Sequence, residues 1–395
     1  MSKGLFIILF LVSSFLACVS AQDTIAKKLT LNGYLSFMES AMGMNMPANR
    51  LLWESLLHNR LNFKYYSSNA WSFSLQVRNR LITGDRFKMD DGEAYKSMLA
   101  KDVGVVDMSW NPLSGNAYVL NTAVDRLYIK FALKNLEITA GRQRINWGQT
   151  YVWNPNDWFN NYSFFDVDYV ERPGSDAVRI QYFTGAVSSL EMVVKLDSAY
   201  NFTIAGMFKT NVKAFDLQFL GGLLTQEDLA LGFGWAGGFG QIGFRGEMSY
   251  LHPTTHMDDT TGLFFLSMAL DYTFANSLMI QAEGFYNQLR RGSQEKGFME
   301  FYAKPLSVKE LSFTELNFFA QVSYPFTPLF SGSFAALYFP EVKGYYLGPA
   351  LTCSLGNNLE LSLFGQYFSG RFPNNYGVID KQSFTMGFAR VKYSF

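Results

Sequence analysis

The chain has 395 residues, 33 acidic and 33 basic, and 48% of its residues are hydrophobic. Its formal net charge is zero and it has no basic patch, which argues against a nucleic-acid-binding protein. The length alone would accommodate two or three soluble domains. However, the aromatic content of 17% is high for a soluble protein, and the apolar residues alternate along the chain instead of forming helical stripes. A set of ordinary soluble domains is therefore disfavoured.

The N-terminus has the pattern of a secretory signal peptide. Lys3 is followed by an apolar run over residues 5–16, and then by the small-residue site Val19-Ser20-Ala21. We therefore predict cleavage before Gln22 and exclude residues 1–21 from the fold.

The two cysteines carry little chemistry. Cys18 suggests a lipoprotein as an alternative, but Leu16 stands two positions before it, and the lipoprotein motif requires leucine at three. Once residues 1–21 are removed, Cys353 is the only cysteine, so an intrachain disulfide is excluded. A single thiol forms no metal or redox motif.

Alternation of apolar and polar residues recurs along the rest of the chain and predicts β-strands. No apolar run after residue 21 approaches the ~20 residues that a membrane helix requires. Segments of about ten residues would each cross a bilayer as a tilted strand. We predict eighteen strands, or sixteen if one weak pair is misassigned, at residues 29–40, 50–65, 70–83, 118–133, 135–146, 176–184, 187–197, 201–210, 213–223, 229–236, 240–251, 263–274, 278–289, 314–324, 329–339, 343–354, 358–368 and 382–395.

The connections between these strands alternate between short and long. If Gln22 starts in the periplasm, every periplasmic connection is short and rich in Asn, Gly and Pro. The long connections all fall on the other side, at residues 84–117, 147–175, 252–262, 290–313 and 369–381. In lipid, a sheet satisfies its backbone groups only by closing on itself. We therefore predict one domain, residues 22–395, folded as an all-β transmembrane antiparallel up-and-down β-barrel.

The last predicted strand, SFTMGFARVKYSF, shows the alternation most clearly. Phe395, Tyr393 and Val391 share the apolar face, whereas Lys392 and Arg390 share the polar face. A chain that ends on Phe, with Tyr two residues earlier, resembles the assembly signal of Gram-negative outer-membrane β-barrels. The resemblance implies the bacterial outer membrane as location, and membrane lipid and the barrel-assembly machinery as partners. Nothing between the signal peptide and the first strand could form the plug of active-transport barrels, which favours passive transport or none.

The polar faces of the strands predict how charge lines the lumen. The bases gather on the early strands and would form a basic wall: Arg60, Lys64, Arg78, Arg80, Arg126, Lys130 and Arg179. The acids gather on the later strands: Glu247, Asp271, Glu283, Glu315 and Glu360, with Arg245 as an exception. Two interpretations stay open. The charges either pair locally, as in any buried polar lumen, or set up a transverse field that filters ions and orients dipolar solutes.

Arg142 and Arg144 interrupt the alternation of the fifth predicted strand. Leu136 and Ile138 would face lipid, and strict alternation would send both arginines there too, at a cost of about 2–4 kcal/mol each at the bilayer midplane. A β-bulge at Gly141 would turn both inward. We predict either this bulge or a position at the rim, and we count both arginines among the pore-lining bases.

The third outer connection, residues 147–175, combines large rings with many amides. Residues 140–179, AGRQRINWGQTYVWNPNDWFNNYSFFDVDYVERPGSDAVR, resemble the GRQ–x–x–WG … NP–x–D … RPG segment of porin-like outer-membrane barrels, including relatives of alginate-export channels. The resemblance implies a channel, without fixing its solute, and a third loop that folds into the lumen and narrows it.

The residue types of this loop suit such a constriction. Its acids, Asp157, Asp166, Asp168 and Glu171, are expected to face Arg60, Arg78, Arg80 and Arg126 across the narrowest point. Asn154-Pro155 and Pro173-Gly174 would fix the turns. The rings admit two interpretations, either apolar anchors against the barrel wall or a sugar-stacking track along Trp147, Tyr151, Trp153 and Trp158.

An enzyme is the rival class, and its signals are weak. His58 occupies a lumen-facing position in a strand, as one more polar lining residue. His252 and His256 share an outer loop with Asp258 and Asp259, but Pro253 argues against the helix that an i, i+4 metal pair would need. We predict no catalytic residues, no metal and no cofactor.

These observations predict a passive porin-like channel for small hydrophilic solutes or ions, narrowed by the third loop opposite a basic wall. The alternative is a non-conducting outer-membrane barrel that serves as an adhesion, secretion or surface-complex partner. The choice between a monomer and a homotrimer stays open.

Overall fold

The computed structural model describes residues 28–44, 50–160, 164–165, 171–255, 257, 261–288, 307–373 and 378–395. Several sequence-based predictions lie outside these residues: the signal peptide, the loop acids Asp166 and Asp168, and His256 with Asp258 and Asp259.

The described residues form nineteen β-strands. Their bounds are β1 (Leu29–Met44), β2 (Arg50–Tyr66), β3 (Trp71–Gly84), β4 (Ser109–Gly115), β5 (Tyr118–Leu133), β6 (Leu136–Gln143), β7 (Ser175–Phe183), β8 (Ser189–Leu196), β9 (Phe202–Val212), β10 (Phe215–Leu224), β11 (Asp228–Phe239), β12 (Ile242–Pro253), β13 (Leu263–Thr273), β14 (Met279–Asn287), β15 (Leu316–Thr327), β16 (Phe330–Phe339), β17 (Gly344–Gly356), β18 (Leu359–Pro373) and β19 (Ile379–Ser394).

Eighteen of these strands close into an antiparallel barrel, which confirms the predicted architecture and strand count. Each pairs with its neighbours in chain order, β3 pairs directly with β5, and β1 pairs with β19 along Tyr34↔Ser394 to Met44↔Phe384. Among the described residues, each of the eighteen barrel strands pairs with a neighbour on both sides, so the backbone groups of the wall are satisfied inside the sheet.

The outer face of the wall is apolar. Leu35, Phe37, Trp53, Ile129 and Val178 are all exposed on outward rows, while the residues between them face the interior. Apolar surface on this scale is unfavourable in water and suits a lipid environment. The fold is that of an outer-membrane β-barrel.

The two ends of the barrel differ. At the end where β1 begins and β19 ends, tight turns connect the strands, as at Leu133↔Leu136 and Val212↔Phe215, where Lys134 and Lys213 adopt positive φ angles. The opposite end carries the long connections. One of them contains a 3₁₀ turn, Asp85–Lys88, and the helix α1, Gly92–Leu99. Within the described ranges no helix is long and apolar enough to cross a membrane.

Strand β4 is not one of the eighteen strands that close the barrel. It pairs only with the first part of β5, from Ser109↔Ala123 to Gly115↔Tyr118, near the end of the barrel that carries the long connections. The second part of β5 pairs with β6. Strand β6 is short, because after Gln143 the chain leaves the wall and turns into the barrel. β4 therefore occupies the wall position that a longer β6 would fill.

Candidate constriction inside the barrel

The third loop connects the end of β6 to the start of β7, and its described residues, 144–160, 164–165 and 171–174, lie inside the barrel. Ile145, Trp147, Asn156 and Asp157 are essentially fully buried there, packed against inward-facing residues of the wall. The loop thus reaches the lumen, and its docking depends on two wall acids, a set of rings and two glycines.

The carboxylate of Glu247, on β12, binds the first turn of the loop. It accepts hydrogen bonds from the backbone N–H of Gln149, of Thr150 (2.8 Å) and of Asn156 (2.9 Å), and from the Thr150 hydroxyl (3.0 Å). A buried carboxylate is costly unless it is hydrogen-bonded on both oxygens, and converging backbone N–H groups supply those bonds. Glu247 therefore fixes residues 149–156 in one conformation.

Glu283, on β14, binds the next three residues in the same way. Its carboxylate accepts the backbone N–H groups of Tyr151 (2.8 Å), Val152 (2.9 Å) and Trp153 (2.9 Å), and the hydroxyl of Ser267 (2.8 Å). Three successive N–H groups around one anion form a nest-like site. Glu247 and Glu283, which the alternation places in the lumen, therefore both bind backbone N–H groups of the loop.

The large rings of the loop are packed as anchors. Trp147 Nε1 donates to Glu191 (2.7 Å), Trp158 Nε1 donates to Ser249 (3.1 Å), and Trp153 stacks on Phe285 at 5.4 Å. All three indoles are at most 5% exposed, so their faces are covered by protein. Among the four predicted stacking residues only Tyr151 is partly exposed. Its hydroxyl donates to Asp271 (2.5 Å), and the Arg245 guanidinium lies 4.6 Å from its ring.

Two inward-facing glycines of β11 make room for the loop. A Cβ at Gly232 would stand 2.8 Å from Asn156 Oδ1 and 3.0 Å from the Trp158 ring, and one at Gly234 would stand 3.2 Å from Asn156 Nδ2. The backbone of the wall and the loop can approach this closely only because neither position carries a side chain.

We expect Gly232→Leu to displace the loop while leaving the barrel closed. Overpacking of this kind costs about 1–3 kcal/mol, so amide exchange of residues 149–156 should accelerate roughly 5- to 150-fold. Gly221→Leu is the matched control, since a Cβ there meets only Leu231 Cδ2, at 3.9 Å on the outward face. Equal exchange rates in the two variants would contradict this role of Gly232.

Three arginines, Arg60, Arg78 and Arg126, form a cluster beside the returning limb of the loop, which is the part that leads back to β7 and includes Glu171 and Arg172. Arg60 and Arg78 both pair with Asp125, Arg78 at 3.4 Å, and Arg60 also lies 3.9 Å from Glu171. Arg126 donates to the backbone carbonyls of Glu171 (2.9 Å) and Arg172 (2.8 Å). The cluster is held by β2, β3 and β5, opposite the strands that carry the glutamates.

Asp125 is a residue of the candidate site that the sequence analysis did not identify. The pairing of β3 with β5 shifts between Gln76↔Arg126 and Val77↔Val124, so Asp125 is an extra residue in a β-bulge. The bulge turns two consecutive residues, Asp125 and Arg126, into the interior. Strict alternation with Arg126 facing inward would place the Asp125 carboxylate in lipid. Because that placement is unfavourable for an acid, it was the signal in the sequence that a bulge lies at this point.

The remaining predicted bases do not join this cluster. Arg80 donates to Asn121 (3.2 Å), Lys130 pairs with Glu137 (2.6 Å), Arg179 pairs with Glu191 (2.7 Å), and Lys64 lies over the ring of Tyr66 (4.7 Å). On the other wall Arg245 pairs with Asp271 (3.1 Å), and Glu315 is exposed just before β15. These contacts match local pairing between neighbouring strands.

The two described loop acids have different surroundings. Glu171 lies 3.9 Å from the Arg60 guanidinium. Asp157 instead is fully buried beside the loop's own Asn160, whose N–H lies 3.4 Å from Oδ1. Burial raises the pKa of Asp157 to about 7, although its amide contact and the nearby Arg144 and Arg172 act in the opposite direction.

Arg142 is corrected from the lumen to the rim. The pairing of β6 with β7 runs without a shift through Gly141↔Ala177 and Arg142↔Asp176, so of the two predicted alternatives the bulge at Gly141 is wrong and the rim position holds for Arg142. Gly141 adopts a φ of 116° within a continuous register. Arg142 stays on the outward row, next to the end of the strand, where Asp102 and Asp176 bind it. Arg144 lies beyond the strand, in the loop.

The described histidines contact hydroxyl and carbonyl groups. His58 is buried within 3.3 Å of the Tyr34 hydroxyl, and His252 contacts the Tyr250 hydroxyl (3.1 Å) and the Met257 carbonyl (3.2 Å). Among the residues that the structure describes, no group of three or more His, Cys, Asp or Glu is arranged to hold a metal ion.

The fold has clear relatives among solved structures, although no family model and no curated protein matches the chain. OccK11 (OpdR) of Pseudomonas aeruginosa has 9% identity and a TM-score of 0.57, over 93% of this chain and 96% of its own. OccAB1 of Acinetobacter baumannii has 9% identity and a TM-score of 0.57, over 95% and 100%. OpdQ of Pseudomonas aeruginosa has 8% identity and a TM-score of 0.56, over 92% and 98%.

At these identities the likeness concerns the fold. Together with the closed eighteen-stranded sheet and its apolar outer face, it defines the class of fold: the chain has the fold of a porin-like outer-membrane β-barrel.

Proposed function

We propose that this protein is a passive channel for small hydrophilic solutes, narrowed where the third loop meets the arginine cluster. The observation that carries the proposal is the docked loop itself. Six backbone N–H groups of residues 149–156 converge on two carboxylates of the wall. Such a loop is held at a defined distance from the opposite wall, as a fixed aperture requires.

The lumen nearer the tight turns supports a hydrated path. Its inward-facing charged pairs are partly exposed, with Lys209 and Asp216 at 37% and 40%, and Arg245 and Asp271 at 33% and 20%. Charged side chains on the inner face of a barrel retain this exposure when the lumen contains water. We infer that a solute would enter or leave through this polar vestibule.

The charge at the proposed aperture favours anions. Arg60, Arg78 and Arg126 face Asp125 and Glu171, and Arg80 lies one position along the same row of β3. A small excess of positive charge in a narrow, partly desolvated passage raises the local concentration of anions.

Single-channel conductance of refolded protein in a planar bilayer tests the proposal directly. We expect steady ohmic steps, with a salt-gradient reversal potential that indicates anion preference. The alternative function, a non-conducting barrel that binds a surface partner, is favoured by the near-complete burial of Arg60 and Trp147 at the level of the loop. Silence from heat-modifiable, folded protein would overturn the channel and support that alternative.

Reversal of the charge at Arg78 and Arg80 should move the reversal potential toward cations. Arg78→Glu/Arg80→Glu exchanges two positive for two negative charges beside the proposed aperture, and Arg78→Gln/Arg80→Gln should give an intermediate value. Lys209→Glu, in the wider vestibule, is the control and should have a smaller effect. If the potentials of all three variants equal the wild-type value, the aperture lies elsewhere.

A further inference from the structure

The inward turn of the third loop leaves an opening in the upper wall, and another part of the chain fills it. We name residues 101–115 the rim segment. It pairs with β5 through Ser109↔Ala123, and the Val124 N–H donates to the Met108 carbonyl (2.9 Å). At its other end Gly104 forms a bridge with Asp197, and the Ser198 N–H donates to the Val103 carbonyl (3.1 Å). The rim segment thus spans from β5, above β6 and β7, to the end of β8.

Arg142 fastens the rim segment to the wall. Its guanidinium pairs with Asp102 of the segment (2.6 Å) and Asp176 of β7 (2.7 Å), and donates to the Val106 carbonyl (2.8 Å). The three charged side chains are at most 13% exposed. A buried network with this many satisfied bonds holds the segment in a fixed position instead of leaving it as a loose outer loop.

The outer surface of the rim segment is apolar. Val103, Val106, Trp110 and Leu113 are exposed, from 47% for Trp110 to 57% for Val106. Trp110 and Leu113 stand opposite Thr122 and Leu120, which lie on the outward row of β5. Below them the apolar outer band continues through Val178 of β7 and Leu196 of β8. The apolar surface therefore runs without interruption from the barrel wall onto the segment.

We propose that the rim segment is part of the membrane-facing wall and docks on lipid, at the boundary between acyl chains and headgroups. Its composition suits that depth. Trp110 is the residue type that concentrates at this boundary, and the exposed Lys101 and Asp107 flank the apolar side chains within reach of water. The occupant of the surface is the bilayer, because the surface is continuous with the band that the bilayer already covers.

Depth-dependent fluorescence quenching tests this proposal. The full mature chain, carrying Cys353→Ser, is labelled with bimane at Val106→Cys or Leu113→Cys and refolded into phosphatidylcholine vesicles that contain acyl-brominated lipid. Val178→Cys provides the lipid-facing reference, and Met89→Cys, on an exposed loop position away from the segment, provides the aqueous one. Heat-modifiable mobility verifies that each variant is folded.

We expect quenching at positions 106 and 113 of at least half the value at position 178. Quenching no greater than that at position 89 would overturn the proposal. A label protected from brominated lipid, together with disulfide cross-linking between Val106→Cys chains, would also overturn it and would assign the surface to a second copy of the chain. A Val103→Cys variant repeats the measurement should either labelled position impair refolding.

Discussion

Replacing both Glu247 and Glu283 by alanine is expected to release the third loop and to enlarge the pore. The change removes the acceptors of six backbone N–H groups and of the Thr150 hydroxyl. Each buried donor left without a partner costs about 1–3 kcal/mol, so the docked conformation should no longer be favoured. The backbone hydrogen bonds of the barrel wall are untouched, although the wall loses the bond from the Ser267 hydroxyl to Glu283, and we expect the barrel to remain closed.

The measurement is single-channel conductance together with amide exchange of residues 149–156. Conductance should rise several-fold and become noisier, and the exchange protection of these amides should be lost. Glu360→Ala is the matched control: Glu360 is another wall acid, whose partners are Ser362 (3.0 Å) and Arg390 (3.8 Å) and not the loop. Glu247→Gln/Glu283→Gln keeps the shape but offers fewer acceptor sites, and should fall between wild type and the alanine variant.

Unchanged conductance with lost protection would mean that the loop is not what limits the current. Unchanged conductance with full protection would mean that the rings, rather than the carboxylates, hold the loop. The first result would contradict the loop as the narrowest point of the pore, and the second would contradict the two carboxylates as the anchors of the loop.

Asp125→Ala is expected to cause the largest loss of stability of any single substitution considered for this chain. Arg60 and Arg78, whose side chains are 1% and 10% exposed, would both lose their shared carboxylate. Removal of one partner from a buried ion pair costs about 3–5 kcal/mol, because it leaves uncompensated charge in a poorly hydrated place. The loop limb bound to Arg126 should loosen as well, since the bulge positions both residues.

Urea unfolding of the refolded barrel in vesicles measures this effect. Asp216→Ala provides the control, because it breaks a partly exposed pair with Lys209 and should cost at most about 1 kcal/mol. Adding Arg60→Met to Asp125→Ala should restore part of the lost free energy of unfolding, since one stranded charge is then removed. A cost for Asp125→Ala as small as that for Asp216→Ala would show that water reaches the arginines freely.

The cooperation of loop and wall explains why the glutamates and arginines lie on opposite sides of the barrel. The carboxylates bind the outgoing limb of the third loop, and the arginines bind the carbonyls of its returning limb. Carboxylates accept hydrogen bonds from N–H groups, and guanidinium groups donate hydrogen bonds to carbonyl oxygens. One loop therefore needs acidic side chains on the wall beside its N–H groups and basic side chains on the wall beside its carbonyl groups. The positions of these glutamates and arginines thus have a structural cause, in addition to the electrostatic one we propose for transport.

The sequence by itself determined the barrel. Alternation with period two is a local property, and lipid accepts a sheet only when it is closed, so strand number and architecture follow from the pattern. The same reasoning found Glu247, Glu283 and Arg60 as inward residues, and it located the third loop.

Only the tertiary structure decided the partners of these residues. Glu247 and Glu283 meet loop amides 91–132 positions away in sequence, and Arg60 meets Asp125 at a distance of 65 positions. Such pairs depend on strand register, on closure and on one β-bulge that breaks the alternation at Asp125. The unshifted register of β6 with β7 likewise decided that Arg142 lies on the outward row at the rim and not in the lumen. A periodic pattern gives the face on which a side chain lies, but the contact it makes there is set by the long-range geometry of the closed sheet.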